Sequence, residues 1–471
     1  SSRATKLVHG GVRYLAQGNV ALVREALRER TILLANAPHL VSPLPFVIPM
    51  YGLRGRFLDR AFYGSGLRVY DALAGNAGLG RTTWLGRTAL LAAAPGAKRD
   101  RLAGGLRYLD AQFDDARLAV ALARTAISRG ACVVNHCGVT GLVHDRGRIA
   151  GVEAEDHETG RRFGVAARCV VNATGVWVDA VRRMDEPAAG VLVAPSQGTH
   201  VVVDRAFFPS NAALLVPKTA DGRVLFAVPW EGAVILGTTD TPRTDLPHEP
   251  RPFAAEIDFI LAEASRYLAR PPTRADVRSA WAGLRPLVRP AAGGGDTKRI
   301  SREHTIVVSP HGLVTVTGGK WTTYRAMAED VLARCCAAGL LAARPAGATR
   351  TLRLVGASTA GAPASPVSAL PGLHLYGDEA AAVAALPGAD RALLPGLNEA
   401  MVRFAARREY ARSVEDVLAR RSRWLFLDAA QAAAAADRVG AILAEEIGPA
   451  FAMAASIAAF RRVAAGYRLD G

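Results

Sequence analysis

The segment Thr317-Gly318-Gly319-Lys320 closes a strand-like run and leads into Tyr324 to Arg334, which has a helical pattern. A strand that becomes a helix through paired glycines offers backbone N–H groups at the helix start, and these stabilise negative charge. The glycines also let the backbone approach a flat ligand closely. Three histidines sit in short blocks beside glycine or arginine: His9-Gly10-Gly11, Gly198-Thr199-His200 and Arg302-Glu303-His304. Imidazole, with its near-neutral pKa, suits removal of a hydroxyl proton. Arg13, Arg285, Arg302 and Lys320 are cationic donors, and guanidinium is a planar fork suited to phosphate. Asp240, in Gly237-Thr238-Thr239-Asp240, is placed either to orient a base or hydroxyl or to cap a turn.

The elements that would carry these groups can be traced along the chain. Asn19 reads as a helix N-cap, with Val20, Val23, Leu27 and Leu34 roughly on one helical face. Prolines 43, 45 and 49 predict an extended loop or an edge strand over Pro43 to Pro49. From Asp114, the pattern Ala116, Leu118, Leu122, Ala126 predicts a helix stopped by Gly130. Strands are expected at 131–134, 139–143, 149–154 and 168–171, with a turn at Asp145 to Gly147 and a hairpin between Asp156 and Arg162. Further strands are expected at 200–203, 224–228 and 234–236. A strand pair at 305–308 and 313–317 is joined by a turn at Pro310 to Gly312. Residues Ala346 to Pro371, rich in Ala, Gly, Ser and Pro, read as a linker, and about Glu379 to Tyr467 reads as helical.

A dinucleotide fingerprint requires a strand, then Gly-x-Gly-x-x-Gly, then a helix. Gly64-Ser65-Gly66 lacks the third glycine, and Gly75-Asn76-Ala77-Gly78-Leu79-Gly80 has the wrong spacing, so both read as loops. The chain begins at Ser1 directly in motif-like sequence, which predicts a truncated chain.

With 471 residues, half of them apolar, the chain can bury more than one core. A net charge of +16 favours anionic partners. The basic residues are scattered, with no basic block and no zinc-finger or RNA-binding signature, which argues against nucleic acid. Five cysteines, two of them adjacent (Cys335-Cys336) and none in a Cys-x-x-Cys, predict a reducing compartment and no metal site. No run of 18 apolar residues and no signal-peptide pattern occurs.

Taken in order, several blocks resemble one family, the flavin-dependent sn-glycerol-3-phosphate dehydrogenases. The first is the opening Ser1-Ser2-Arg3-Ala4-Thr5-Lys6-Leu7-Val8-His9-Gly10-Gly11-Val12-Arg13-Tyr14-Leu15. Tyr108 to Leu118 and Asn172-Ala173-Thr174-Gly175-Val176-Trp177 follow. Gly198-Thr199-His200-Val201-Val202, Gly237-Thr238-Thr239-Asp240-Thr241 and Gly283-Leu284-Arg285-Pro286-Leu287 come next. Ser301-Arg302-Glu303-His304 and Thr317 to Arg325 complete the set, which covers about residues 1 to 330.

The resemblance implies an α/β (α+β) FAD-dependent oxidoreductase fold of the glycine-oxidase/D-amino-acid-oxidase type, with its first βαβ unit incomplete and a C-terminal helical domain added. The FAD domain would comprise 1–45, 105–190 and 300–345. The substrate-binding cap would comprise 46–104 and 191–299, followed by a linker at 346–378 and the helical domain at 379–471. FAD would be held by Ser1, Ser2, Lys6, His9, Gly10, Gly11, Thr174, Gly175, Trp177, Gly318, Gly319, Lys320, Thr322 and Thr323. Substrate would meet Arg13, Tyr14, Arg285, Arg302 and Lys320, with Arg285 and Arg302 mainly on its phosphate. His200 is the implied base, His9 and His304 are alternatives, and Arg285, Lys320 and Asp240 complete the catalytic set. The implied reaction oxidises sn-glycerol 3-phosphate to dihydroxyacetone phosphate by hydride transfer to FAD, with electrons passed to a membrane quinone. Such a protein is expected in the cytoplasm, peripherally attached to the anionic surface of the inner membrane, with a homodimer possible in principle. The competing readings are an oxidase of the same group that uses dioxygen, an amine or amino-acid oxidase, and a truncated remnant without activity.

Overall fold

The computed structural model describes residues 2–52, 55–219, 222–289, 304–358 and 365–469. In chain order its main strands are β1 (Leu7–Val8), β2 (Val41–Tyr51), β3 (Thr83–Gly86), β4 (Leu102–Phe113), β5 (Cys137–Asp145), β6 (Arg148–Asp156), β7 (Arg162–Ala166) and β8 (Val170–Asn172). They continue with β9 (Val193–Asp204), β10 (Ala213–Val216), β11 (Leu225–Trp230), β12 (Ala233–Gly237), β13 (Thr241–Pro242), β14 (Ser279–Val288), β15 (His304–Val308) and β16 (Leu313–Gly318). The largest sheet runs β1-β4-β2-β10-β11-β12-β9-β13, with β14 also on β9 and β3 also on β4. All its pairings are antiparallel except β10 on β2. Two three-stranded sheets, β15-β16-β8 and β5-β6-β7, stand apart from it.

Both faces of the large sheet are covered, which explains its continuous apolar runs. Val201, Val203, Val234 and Leu236 face one core with Ile257 and Ile260 of helix α6 (Ala254–Tyr267; the helices are numbered below). Val202 and Ile235, one residue out of phase, face a second core with the C-terminal helices. That alternation is the two-residue period of a strand.

The main helices are α1 (Val20–Asn36), α2 (Arg60–Ala74), α3 (Arg87–Ala93), α4 (Asp115–Ser128), α5 (Val178–Asp185), α6 as above, α7 (Tyr324–Ala337), α8 (Glu399–Arg408), α9 (Ala429–Ile447) and α10 (Met453–Ala465). Asn19 caps α1, its side-chain oxygen accepting from Leu22 N at 3.1 Å. Asp114 caps α4 by accepting from the N–H groups of Ala116 and Arg117, both at 3.0 Å. In α9, Ala429, Ala432, Ala436, Val439 and Leu443 form one buried stripe, so part of an alanine-rich run packs against the core.

Three local expectations change. Residues 43–49 lie inside the eleven-residue strand β2, which pairs with β4 along its length and with β10 at Phe46 and Val47. Prolines 43, 45 and 49 share one parity, so their missing N–H groups fall on one edge of the strand and spare the other. Gly64 and Gly66 lie within α2, where Leu67, Tyr70 and Ala74 are buried. Burial of that stripe outweighs the helix cost of glycine, about 1 kcal/mol each. Residues 131–134 form no strand; Val133 and Val134 are exposed, with no ladder beside them among the described residues.

The segment after α4 is clipped to the C-terminal region by His136. Asp416 accepts from His136 Nε2 at 3.0 Å, from the Arg412 and Ser413 N–H groups at 3.0 and 3.1 Å, and from Arg421 at 3.1 Å. The bond to Asp416 raises the His136 pKa above 6.5, against the opposing effect of burial. Burial pushes the Asp416 carboxyl up, but His136, Arg421 and the backbone donors outweigh it and hold the carboxyl well below its usual range. The histidine contribution is present below its unfolded pKa and fades as pH rises through the raised folded value. The aspartate contribution is present above its unfolded pKa and fades as pH falls. The stability contributed by the clip is therefore expected to fall as pH rises above about 6.5, by less than roughly 1 kcal/mol because His136 is partly exposed. His136→Gln should flatten that slope; an unchanged slope in the variant would show that the clip has no such effect.

Candidate functional site

The opening segment is threaded between β4 and the C-terminal helices. Leu7 and Val8 pair with Gln112 and Ala111. Just beyond them, Gly10 N donates to Tyr70 Oη at 2.9 Å; Tyr70 donates to Asp110 at 2.7 Å, and Arg30 donates to the other Asp110 oxygen at 2.8 Å. A Cβ on Gly10 would stand 2.5 Å from Tyr70 Oη and 2.8 Å from Leu27, so the position needs glycine. Gly11, at φ +77°, then turns the chain into the short helix Val12–Gln17.

That turn brings Tyr14 beneath Lys320, whose Nζ lies 4.0 Å from the ring centroid. Lys320 follows Gly318 and Gly319, at φ +79° and +73°, between the end of β16 and the turn Trp321–Thr323 that opens α7. Thr322 and Thr323 are buried there. Beside it, Thr317 Oγ1 donates to the Gly175 carbonyl at 3.3 Å. Gly175 has φ +67°, and no atom lies within 4 Å of where its Cβ would stand. Thr174 donates to Asn172 at 2.7 Å, and Trp177 donates through Nε1 to Leu246 O at 3.1 Å while stacking on His248.

A second group stands on β9 and β14, and β14 packs against both β16 and the Gly175–Trp177 turn. Arg285 donates to Asp240 at 3.3 Å and to Thr238 Oγ1 and the Thr239 carbonyl at 3.0 Å each. Its guanidinium lies across Gly198, where a Cβ would stand 2.0 Å from Nη2. Ser196 donates to Asp240. His200 is 2% exposed, stacks on Trp281 with centroids 5.3 Å apart, and shares a 2.9 Å hydrogen bond with Thr5 Oγ1. Burial, with help from the charges of Arg285 and Lys6, drives its pKa well below 6.5 and keeps it neutral.

One organising residue lies outside every motif read from the sequence. Glu256, at the start of α6, accepts from Thr199 Oγ1 (2.6 Å), Gln197 Nε2 (2.7 Å), Thr239 Oγ1 (2.8 Å), Thr241 Oγ1 (2.6 Å) and Phe253 N (3.1 Å). Burial raises its pKa, but these donors outweigh that effect and keep it below the ordinary value. Glu256 therefore ties the 198–202 block to the 237–241 block.

The structure thus brings Gly11, Tyr14, Gly175, Gly318, Gly319 and Lys320 together, and sets Arg285 and His200 on the paired strands β14 and β9 with Asp240 in the adjoining 238–240 loop. Lys6 is held elsewhere, fully buried against Asp115 at 2.8 Å and among the rings of Trp230, Trp281 and Phe426. The Ser2 carbonyl accepts from Lys6 and from Arg423. His9 is half-buried, and His304 pairs with Asp330 at 3.0 Å. Ser1 and Arg302 lie outside the described residues, as does the side chain of Arg13.

The fold is that of the glycine-oxidase-type FAD-dependent oxidoreductases, with a C-terminal helical domain added. Residues 1–325 match the family described as FAD dependent oxidoreductase, and residues 346–450 match the C-terminal domain of alpha-glycerophosphate oxidase. A mitochondrial glycerol-3-phosphate dehydrogenase of Arabidopsis thaliana is 38% identical over 95% of this chain and 77% of its own. The mitochondrial glycerol-3-phosphate dehydrogenase of Homo sapiens is also 38% identical over 95% of this chain, which spans 65% of the human protein. The structure of the glycerol-3-phosphate dehydrogenase from Bacillus halodurans complexed with FAD is similar with a TM-score of 0.76 and 28% identity, covering 98% of this chain and 85% of that one. The chain belongs to the FAD-dependent oxidoreductase family, in the group of the glycerol-3-phosphate dehydrogenases.

Two substitutions test this geometry. Glu256→Ala strands several buried donors and should cost about 2–4 kcal/mol in denaturant unfolding. Gly198→Ala displaces only the far end of the Arg285 side chain, so the variant should keep its unfolding midpoint and lose roughly tenfold in affinity for a phosphorylated ligand. An unaltered affinity would mean that Arg285 does not bind the anion from this position.

Proposed function

We propose that the chain oxidises sn-glycerol 3-phosphate to dihydroxyacetone phosphate, with FAD as its cofactor and a membrane quinone as electron acceptor. The observation that carries this reading is the meeting of a glycine-lined turn, Gly318–Lys320 against Gly11 and Tyr14, with an arginine-bearing strand, β14, that packs on β16. A flat cofactor fits the first feature. Gly318 and Gly319 give the turn a left-handed backbone with no side chains of its own, no atom of the described residues stands within 4 Å of where a Gly175 Cβ would be, and α7 begins directly after the turn. FAD supplies the hydride acceptor; Gly11, Gly175, Gly318, Gly319 and Lys320 would hold its ring end.

The chain's own groups do the remaining work. Arg285 presents its guanidinium to the phosphate, aimed by Thr238 and the Thr239 carbonyl and partly balanced by Asp240. Lys320 and Tyr14 orient the alcohol end. His200 takes the hydroxyl proton through Thr5, with which it shares a 2.9 Å hydrogen bond, although burial and the charges of Arg285 and Lys6 weaken its basicity. Arg13 and Arg302 add cationic contacts to the phosphate.

Peripheral membrane attachment draws support from the stretch Gly55–Ala74. Phe57, Leu58 and Phe62 are 63%, 68% and 64% exposed there, with Arg60 and Arg68 on the same helical stretch. Exposed apolar side chains interleaved with arginine suit the interface of an anionic bilayer. No helix among the described residues is long and apolar enough to cross a membrane.

Steady-state oxidation of sn-glycerol 3-phosphate with a ubiquinone analogue or dioxygen as acceptor tests the proposal. Arg285→Met should raise KM by roughly a hundredfold, since a charge-assisted phosphate contact is worth about 2–3 kcal/mol, with a smaller change in kcat. Activity with dioxygen that matches the quinone rate, with equivalent peroxide, would replace the dehydrogenase with an oxidase. A KM unchanged in the variant would remove Arg285 from the phosphate site.

A further inference from the structure

His144, Asp185 and His311 come from three separate elements and converge on one point of the surface. His144 lies near the end of β5, Asp185 is the last residue of α5, and His311 sits in the turn between β15 and β16. Asp185 Oδ1 is bonded to both His144 Nε2 and His311 Nδ1, each at 2.9 Å. The three ligand atoms all lie within 4.8 Å of one another. The two rings stand edge to face, at 88° with centroids 5.6 Å apart, so their nitrogens aim at one carboxylate instead of stacking past it.

The Asp185 side chain is only 1% exposed and is held between the two imidazoles. The imidazoles are 35% and 39% exposed, so water can reach the open side of the cluster and complete a coordination shell. The frame is built in advance. Ile149 N donates to the His311 carbonyl at 2.9 Å, Leu313 N donates to Ser309 Oγ at 2.9 Å, and the Ser309 hydroxyl bonds Asp185. Gly312, at φ +95°, makes the turn that lets His311 face back towards α5.

We propose that these residues bind one divalent transition-metal ion of the zinc class, with water in the fourth position. Two imidazoles and one carboxylate suit zinc, cobalt or nickel; calcium and magnesium prefer an all-oxygen shell. Binding requires no redox step. Each neutral ring moves its proton to the nitrogen facing away from the carboxylate, and the vacated lone pair joins the metal in place of the N–H···O bond. The site is separate from the Gly318–Lys320 turn, at the far end of β16, six residues and roughly 20 Å away. Its effect is therefore structural: the ion staples the β5–β6 hairpin, α5 and the β15–β16 turn.

The test uses the full 471-residue chain after treatment with a chelator. Calorimetric titration with Zn²⁺ should give one equivalent and raise the Tm, and Co²⁺ should give the visible absorption of a four-coordinate N/O site; Mg²⁺ and Ca²⁺ should do neither. His144→Gln and His311→Gln alter partly exposed side chains, so both variants should fold, and each should weaken Zn²⁺ binding at least tenfold. Asp185→Asn should do the same if it folds. No Zn²⁺ binding to the parent chain, or binding undiminished in the His144→Gln/His311→Gln double variant, would overturn the proposal.

Discussion

The site depends on how one buried charge is neutralised. Lys6 has no exposure to solvent, and burial brings its pKa down to about 8 despite Asp115 at 2.8 Å. Arg423 shares the same carboxylate and the Ser2 carbonyl, while Trp230, Trp281 and Phe426 surround the ammonium. Such a cluster contributes little net stability, because desolvation of the ions offsets most of their attraction. Its effect is to fix register: Lys6 can sit in only one place, and the chain on either side is then determined. Thr5 is set against His200, and Gly10 and Gly11 are delivered under Lys320. The same cluster joins the opening segment, the start of α4 and Arg423 of the C-terminal region, so the site and the added domain share one anchor.

Around that anchor, positions are set by acceptors more than by shape. Glu256 gathers donors from both loops that frame Arg285, and Asp110 gathers Tyr70 and Arg30 behind Gly10. Each carboxylate is buried and has several donors, the condition under which a charged group specifies geometry without a large stability cost. Arg285 is thus held on the surface of a fully packed sheet, its guanidinium lying on a glycine where a side chain would otherwise stand.

Much of this was legible in the sequence where local chemistry decides the outcome. The Asn19 cap, the helix start at Asp114, the β5–β6 hairpin and the β15–β16 pair follow from short-range signals, and the glycines at 11, 175, 318 and 319 stand at the left-handed turns that need them. What escaped was decided by partners distant in sequence. The proline-broken segment 43–49 became an interior strand because β4 lies beside it, and 131–134 stayed unpaired because no strand does. Lys6 reads as a ligand-binding lysine until Asp115 and Arg423 fold around it. Glu256 carries no motif, since its donors come from β9, from the 239–241 segment and from the residue before α6. The His144–Asp185–His311 cluster was invisible for the same reason, with sequence separations of 41 between its first two members and 126 between its last two.

The central claim is that this assembly of glycine-lined turn and arginine-bearing strand brings a flavin and a phosphorylated secondary alcohol together. The most direct measurement is the visible absorbance of the FAD-loaded chain, titrated without oxygen with sn-glycerol 3-phosphate and, separately, with glycerol and with glycine. Bleaching is expected with sn-glycerol 3-phosphate and not with the other two, because glycerol lacks the phosphate proposed to meet Arg285 and glycine lacks the secondary alcohol. Bleaching by glycine or by glycerol at similar concentration, or a bound flavin indifferent to all three, would contradict it.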